Sequence, residues 1–196
     1  MIQRRQEDMA ACTRISASYR HFPVPDCIYR YSREEAHEHH TDDSGSQPGF
    51  IYDSQEAIFG PLHPSEGSLV QELALDLLST LPQDAEVVCP LALGNHVDHQ
   101  LTRLAVEGLE RPLWYYADYP YVLGLLDQIE VLHDAGWEGF LFSISPTGLE
   151  AWQQAVAEYQ SQISTFWPDQ EAMRVALSAY RQIFGGTVLW KRTHSE

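Results

Sequence analysis

The feature that most constrains the fold of this chain is an apolar run that ends just before two histidines. Residues 87–93 read Val-Val-Cys-Pro-Leu-Ala-Leu, and Gly94 ends the run. A short apolar run bounded by a turn residue is typical of a buried strand, here over 86–91. Leucine and alanine then recur at helical spacing, which predicts a helix over 98–110. A strand, a tight turn and a helix in this order indicate an α/β sheet.

The turn between this strand and this helix carries His96, Asp98 and His99. In open α/β sheets, ligands bind at the carboxyl ends of the strands. One imidazole there can hold a zinc ion, and a second, held by a carboxylate, can move a proton or stabilise an oxyanion. The alternative is an ordinary helix start, with Asp98 as the N-cap and both histidines satisfied. The buried strand before the turn favours the functional interpretation.

The rest of the chain also alternates helices and strands, which predicts a single α/β domain over 1–196 with a mainly parallel sheet. Capping-box patterns at 68–71 and 147–150 predict helix starts, the second opening a helix over 148–164. Further helices are predicted over 3–18 and 170–184. Further strands are predicted over 113–117, 129–133, 140–144 and 187–190, and residues 27–30 are predicted to be a short strand or an extended segment.

Composition excludes several classes of function. The net charge is −16, from 12 basic and 28 acidic residues. This balance argues against sequence-independent binding to nucleic acid or to anionic membranes, because both need clustered Lys and Arg. No apolar run approaches the roughly 20 residues of a membrane span. Three cysteines without a CxxC pair and a start without an apolar signal region indicate the cytoplasm.

A second group of histidines lies in a polar stretch, residues 31–50, that we interpret as a surface loop. His37, His39 and Asp43 could bind a metal, but no predicted strand or helix preorganises them. His63 precedes a predicted helix and is interpreted as part of a turn. Beyond the strand over 113–117, Tyr119 and Tyr121 flank a proline and could line a pocket.

Four segments together resemble the PIG-L or LmbE-like deacetylases, whose relatives include the N-acetylglucosaminyl-phosphatidylinositol de-N-acetylases. Residues 4–11 (RRQEDMAA) are similar to a family helix that bears Arg and Glu, and residues 94–99 (GNHVDH) match the family's HxDH motif. Residues 116–121 (YADYPY) are similar to its acidic and aromatic loop. Residues 157–162 (AEYQSQ) resemble its late helix with a Tyr-x-Ser-Gln pattern. The segments occur in the family's order over nearly the whole chain.

This resemblance implies a Rossmann-like fold and zinc-dependent removal of an acetyl group from an N-acetylated amino sugar or a related small molecule. It makes His99 a zinc ligand and His96 the electrophilic or general-acid histidine. Asp98 would orient His96, which makes both of them catalytic. The substrate-binding residues implied by the resemblance are Arg4, Asp118 and Tyr119.

The chain departs from the family in one respect. The family's His-Pro-Asp-Asp motif, which follows its first strand and supplies two zinc ligands and the general base, has no counterpart after a predicted strand here. We therefore expect the first βαβ unit to be missing, with the other zinc ligands upstream of Met1. Three hypotheses follow. In the first, the chain is part of a longer metal-dependent amide hydrolase. In the second, it is a non-catalytic remnant that serves as a binding module. In the third, it is a metallohydrolase that combines His99 with ligands from the 31–50 loop.

Overall fold

The computed structural model of the protein describes residues 2–31 and 49–193, except for the side chains of His133 and Asp134. The chain forms two compact units. The first comprises Met1–Pro23 and Gly139–Leu189, and the second comprises Val24–Glu138 and Trp190–Glu196. The histidines of the HxDH motif lie in the second unit. In the described ranges, no helix is long and apolar enough to cross a membrane.

Four strands form one sheet in the order β1-β2-β4-β3. They are β1 (Val87–Pro90), β2 (Leu113–Tyr116), β3 (Trp137–Ser143) and β4 (Gly186–Arg192). Strands β1 and β2 are parallel, so their carboxyl ends lie side by side. This sheet and its flanking helices confirm the predicted α/β class.

Strands β3 and β4 run in opposite directions. The N–H of Thr193, just after β4, donates to the carbonyl oxygen of Gly136, just before β3, at 2.9 Å. At the other end, Gly186 lies so close to the backbone of Phe142 that a Cβ would collide with it. Because the start of one strand meets the end of the other at both ends, the pair is antiparallel.

Eight α-helices occur in the part of the chain that the structure describes. Those of the first unit are α1 (Ile2–Arg14), α6 (Pro146–Ala157), α7 (Gln160–Phe166) and α8 (Gln170–Phe184). Those of the second unit are α2 (Gln55–Ile58), α3 (Gly67–Thr80), α4 (Val97–Glu107) and α5 (Leu126–Asp134). Short 3₁₀ turns cover Cys27–Tyr29, Pro64–Glu66 and Tyr121–Gly124.

Helix α4 carries a buried apolar stripe that includes Leu101 and Ala105 of the predicted helical pattern, whereas Leu104 of that pattern is exposed. Val97, Leu101 and Ala105 are all at most 2% exposed, and they recur at a spacing of four residues. The helix packs against β1, where Cys89 is 1% exposed, and against α3. Burial of this stripe stabilises the strand-turn-helix unit and fixes the direction in which α4 leaves the sheet.

Two strand predictions were wrong. Cys27–Tyr29 form a 3₁₀ turn, because the Asp26 side chain accepts from the Ile28 N–H and closes a local turn, and Arg30 after it has extended backbone. Residues 129–133 lie in helix α5, where Ile129 and Leu132 are half-buried at helical spacing. A short apolar run fits either structure, and packing decides between them.

Two predicted helix starts were also misplaced. Helix α3 begins at Gly67, and Ser68 lies within its first turn rather than at its cap. Helix α6 has Ser145 as its N-cap, with Pro146 at the first position. The hydroxyl oxygen of Ser145 accepts from the Gly148 N–H at 3.0 Å. The helix predicted over 148–164 is two helices, α6 and α7.

Candidate active site

A tight turn connects β1 to α4 and places the first histidine at the helix start. Ala92, Gly94 and Asn95 all have positive φ, at 57°, 83° and 60°. At Gly94 a Cβ would also lie 3.4 Å from the Leu125 side chain, so glycine suits both the backbone and the space. His96 follows as the N-cap of α4.

The hydrogen bonding of His96 defines its tautomer. Its Nδ1 accepts from the backbone N–H of Asp98 at 3.2 Å. A neutral imidazole carries one proton, so acceptance at Nδ1 places that proton on Nε2. Burial lowers the pKa of His96, and the Asp98 carboxylate partly opposes this effect. His96 is therefore a neutral imidazole with an Nε2–H available to donate.

His99 contacts a carboxylate from the loop that follows β2. Its Nδ1 lies 2.6 Å from Oδ1 of Asp118, whose side chain is 1% exposed. The contact has ion-pair distance, although the ring N–H does not point along it. The other carboxylate oxygen, Oδ2, accepts from the Leu93 N–H at 3.0 Å. Asp118 thus joins the end of β2 to the turn after β1 and leaves Nε2 of His99 for another partner.

The two imidazoles lie side by side among aromatic rings. The ring centroids of His96 and His99 are 5.1 Å apart. Phe59 meets the His96 ring edge-on at 5.3 Å, and Tyr121 meets the His99 ring edge-on at 5.8 Å. Rings on two sides restrict how the imidazoles rotate and give this corner an apolar wall.

The Asp98 carboxylate makes contacts that the sequence did not indicate. Oδ1 lies 2.7 Å from Nη1 of Arg30, and Oδ2 accepts from the Cys27 N–H at 3.3 Å. Arg30 is 4% exposed, and its Nε lies 2.7 Å from Oε1 of Glu66. Tyr52 donates its hydroxyl to Oε2 of the same glutamate at 2.7 Å. A buried guanidinium therefore lies between two carboxylates, which come from segments distant in sequence.

Two groups of donors can be compared as zinc ligands. An imidazole with a carboxylate behind it, as in His99 with Asp118, is the usual arrangement of a zinc-binding histidine. In the second group, donor atoms of Cys27, His96 and Asp98 lie within 4.8 Å of one another. Burial and the nearby Asp98 raise the pKa of the Cys27 thiol to about 12, and the Arg30 guanidinium already balances that carboxylate. His99 therefore has the usual arrangement of a zinc-binding histidine, whereas a metal at the second group would have to displace the Arg30 guanidinium from Asp98.

The other residues proposed from the sequence lie in different surroundings. Arg4 is exposed on α1 in the first unit, and Tyr119 is half-buried just after Asp118. His63 caps a 3₁₀ turn, where its Nδ1 accepts from the Ser65 N–H at 3.3 Å. The loop residues His37, His39 and Asp43 lie outside the described residues.

Comparisons with known proteins identify the fold. No protein-family model matches the chain, and no curated protein matches it. Among solved structures, the chain is similar to a deacetylase–bog complex from the biosynthesis pathway of teicoplanin, with a TM-score of 0.71 and 24% identity, covering 100% of this chain and 74% of that one. It is also similar to the zinc-inhibited form of teicoplanin deacetylase Orf2, with a TM-score of 0.69 and 22% identity, over 100% of this chain and 76% of that one. A triple mutant of a deacetylase in the same pathway matches with a TM-score of 0.62 and 23% identity, over 97% of this chain and 70% of that one. The chain thus has the Rossmann-like α/β fold of these deacetylase structures.

Proposed function

We propose that the protein is a zinc-dependent deacetylase of the PIG-L or LmbE-like type. Its substrate would be an N-acetylated amino sugar or a related small molecule, whose acetyl amide it hydrolyses. The observation that carries the proposal is the histidine pair at the carboxyl ends of β1 and β2, with buried Asp118 behind His99. The shared fold supports it, since the similar structures are described as teicoplanin deacetylases and one as a zinc-inhibited form.

His99 is the described residue to which we assign zinc binding. Its Nδ1 faces Asp118, so Nε2 would be the ligand atom, and the carboxylate would fix the orientation of the ring. A bound zinc ion supplies Lewis-acid polarisation of the amide carbonyl. Catalytic zinc usually takes three protein ligands, so two ligands besides His99 would complete the site.

His96 would stabilise the negative charge that develops on the carbonyl oxygen of the amide. Its Nε2–H is the donor, because its Nδ1 accepts from the Asp98 N–H. A neutral ring in this tautomer fits an electrophilic role better than that of a general acid, which would need a second ring proton. Removal of one such donor costs roughly 100- to 1,000-fold in kcat in well-studied enzymes.

The structure supports different roles for the residues that the resemblance implies as substrate-binding. The Asp118 carboxylate is buried against His99 and Leu93, which favours a positioning role over direct contact with substrate. Phe59 and Tyr121 present ring edges beside the imidazoles and would form an apolar wall for the acetyl group. Arg4 and Tyr119 stay predictions from the resemblance.

The test is release of free amine from a panel of N-acetylated amino sugars and their glycosides, with zinc added at one equivalent and in excess. We expect amine release by the wild type and its loss in His99→Ala. His21→Ala is the matched control, because His21 also contacts an aspartate, Asp8, but lies in the other unit. No amine release from any substrate with zinc present, or full activity in His99→Ala, would contradict the proposal.

A further inference from the structure

Arg30 is a buried cation that the proposed reaction does not use. It follows the 3₁₀ turn Cys27–Tyr29, and its guanidinium lies over the Tyr52 ring, with Cζ 5.3 Å from the centroid. Its Nε contacts Glu66 and its Nη1 contacts Asp98, each at 2.7 Å. Burying a guanidinium is costly unless it is paired, and here two carboxylates on different elements pair it.

The contact between Arg30 and Asp98 fixes the position of the first turn of helix α4. One oxygen of Asp98 lies at ion-pair distance from Nη1 of Arg30, and the other accepts a hydrogen bond from the Cys27 N–H. The Asp98 side chain is therefore anchored to the 27–30 segment through both oxygens. The backbone N–H of the same residue donates to Nδ1 of His96. Because the side chain of Asp98 is anchored, its backbone N–H is also fixed in place. That N–H occupies Nδ1 of His96, so the ring proton is on Nε2.

We propose that Arg30 is a positioning residue for the pair His96 and His99. It holds the Asp98 carboxylate, fixes the first turn of α4 and so keeps His96 in the tautomer with Nε2 protonated. The planar fork of arginine suits this role, since two different nitrogens reach two carboxylates at once. The catalytic consequence rests on the proposed function, whereas the effect on the tautomer does not.

The experiment compares Arg30→Met and Arg30→Lys with Tyr52→Phe in the full chain. Tyr52→Phe is the matched control, because it removes a hydrogen bond from the same buried network at Glu66 and leaves the contact with Asp98 in place. The first measurement is ¹⁵N NMR of the histidine rings, at one pH where the imidazoles are neutral. We expect Nε2 protonated in wild type and Tyr52→Phe, and a mixture of tautomers at His96 in Arg30→Met.

The second measurement is steady-state hydrolysis of the best substrate from the panel. Loss of a residue that orients site groups through a second contact typically costs about 10- to 100-fold in activity. We expect a kcat decrease of that size in Arg30→Met with KM unchanged, and little change in Tyr52→Phe. In an Asp98→Asn background, Arg30→Met should add no further loss, because it acts through that carboxylate.

The outcomes separate the two proposals. A tautomer change in Arg30→Met would support the role of Arg30 even if the wild type hydrolyses no amide, a result that would defeat only the proposed function. An unchanged His96 signal in folded Arg30→Met would overturn the role of Arg30. So would equal losses of kcat in Tyr52→Phe and Arg30→Met. If Arg30→Met does not fold, Arg30→Lys decides, because it keeps the charge but loses the fork.

Discussion

Two contacts between a histidine and an aspartate have nearly the same length but lie in different units. Nε2 of His21 is 2.7 Å from Asp8, and Nδ1 of His99 is 2.6 Å from Asp118. The Asp8 side chain is 34% exposed, whereas the Asp118 side chain is 1% exposed. Distance alone does not separate them. Burial does, because water competes for the polar groups of an exposed contact and is excluded from a buried one.

In the first unit, the carboxylates of α1 bind groups at the start of α7. Asp8 accepts the hydroxyl of Tyr159 at 2.6 Å. Glu7 accepts both the N–H and the hydroxyl of Ser161, at 2.9 and 2.6 Å. Burial and these hydrogen bonds tie two helices together. This cluster contains the Tyr-x-Ser-Gln pattern, and its contacts explain that pattern structurally.

In the second unit, the carboxylates hold imidazoles and a guanidinium at the carboxyl ends of parallel strands. Asp118 contacts Nδ1 of His99 rather than Nε2, and His96 keeps an N–H to donate. A buried cluster of titratable groups that can still bind a ligand or donate a proton is typical of a functional site. The comparison shows that placement at the strand ends, rather than the pairing of residue types, distinguishes the site.

The largest expected effect comes from exchanging the two aspartates for asparagine. Asp118→Asn should lower zinc affinity and amide hydrolysis about 10- to 100-fold, because His99 loses the charge that holds and polarises it. Asp8→Asn should leave both unchanged. Zinc titration by calorimetry and the amine-release assay measure these effects. Equal losses in the two variants would remove the distinction between the two contacts.

The strand-turn-helix unit was predictable because its information is local. The apolar run, the glycine and the helical spacing of residues 87–109 stand in one stretch, and the structure has β1 and α4 there. Helix α8 has the predicted bounds for the same reason, with Asp169 as its N-cap and Gly185, at φ 74°, at its end. Local patterns with strong start and stop signals need little help from tertiary contacts.

The partners of Asp98 were not predictable because they are distant in sequence. Arg30 ends a segment expected to be a strand or an extended piece, and nothing near it in the sequence indicates a buried cation. Glu66 precedes helix α3 and resembles an ordinary first-turn acid. Only the folded chain brings both residues to the start of α4. A comparison of sequence motifs therefore predicts that Asp98 orients His96, and it does not reveal the contact of Asp98 with the Arg30 guanidinium.

A smaller effect, on stability alone, is expected in the first unit. Ser161→Ala should lower the free energy of unfolding by about 1.5 kcal/mol, the low end for a hydrogen bond to a charged group, because the Ser161 N–H still reaches Glu7. Ser178→Ala is the control, since its exposed hydroxyl bonds only within its helix and to Gln153. Denaturant unfolding measures both variants.

The pH dependence of stability sharpens the same test. Hydrogen bonds from Ser161 hold the pKa of Glu7 below its ordinary value of 4.5. A carboxylate with a lowered pKa in the folded state stabilises the fold above the unfolded pKa, and this stabilisation is lost as the pH falls through the folded pKa. Unfolding free energy should therefore fall below pH 4.5 in the wild type, and less steeply in Glu7→Gln. Parallel pH profiles would contradict this, because they would mean that the pKa of Glu7 is the same in the folded and unfolded states.

The smallest effect is expected at Cys27, and its absence is informative. Cobalt(II) bound by a thiolate gives a charge-transfer absorption that a histidine ligand does not. Because burial and Asp98 raise the pKa of the Cys27 thiol to about 12, and Arg30 already pairs that aspartate, we expect identical cobalt spectra for the wild type and Cys27→Ser. A charge-transfer band present in the wild type and lost in Cys27→Ser would place the metal at Cys27, His96 and Asp98. It would then have displaced Arg30 from its carboxylate, and the zinc ligand would no longer be the histidine that Asp118 holds.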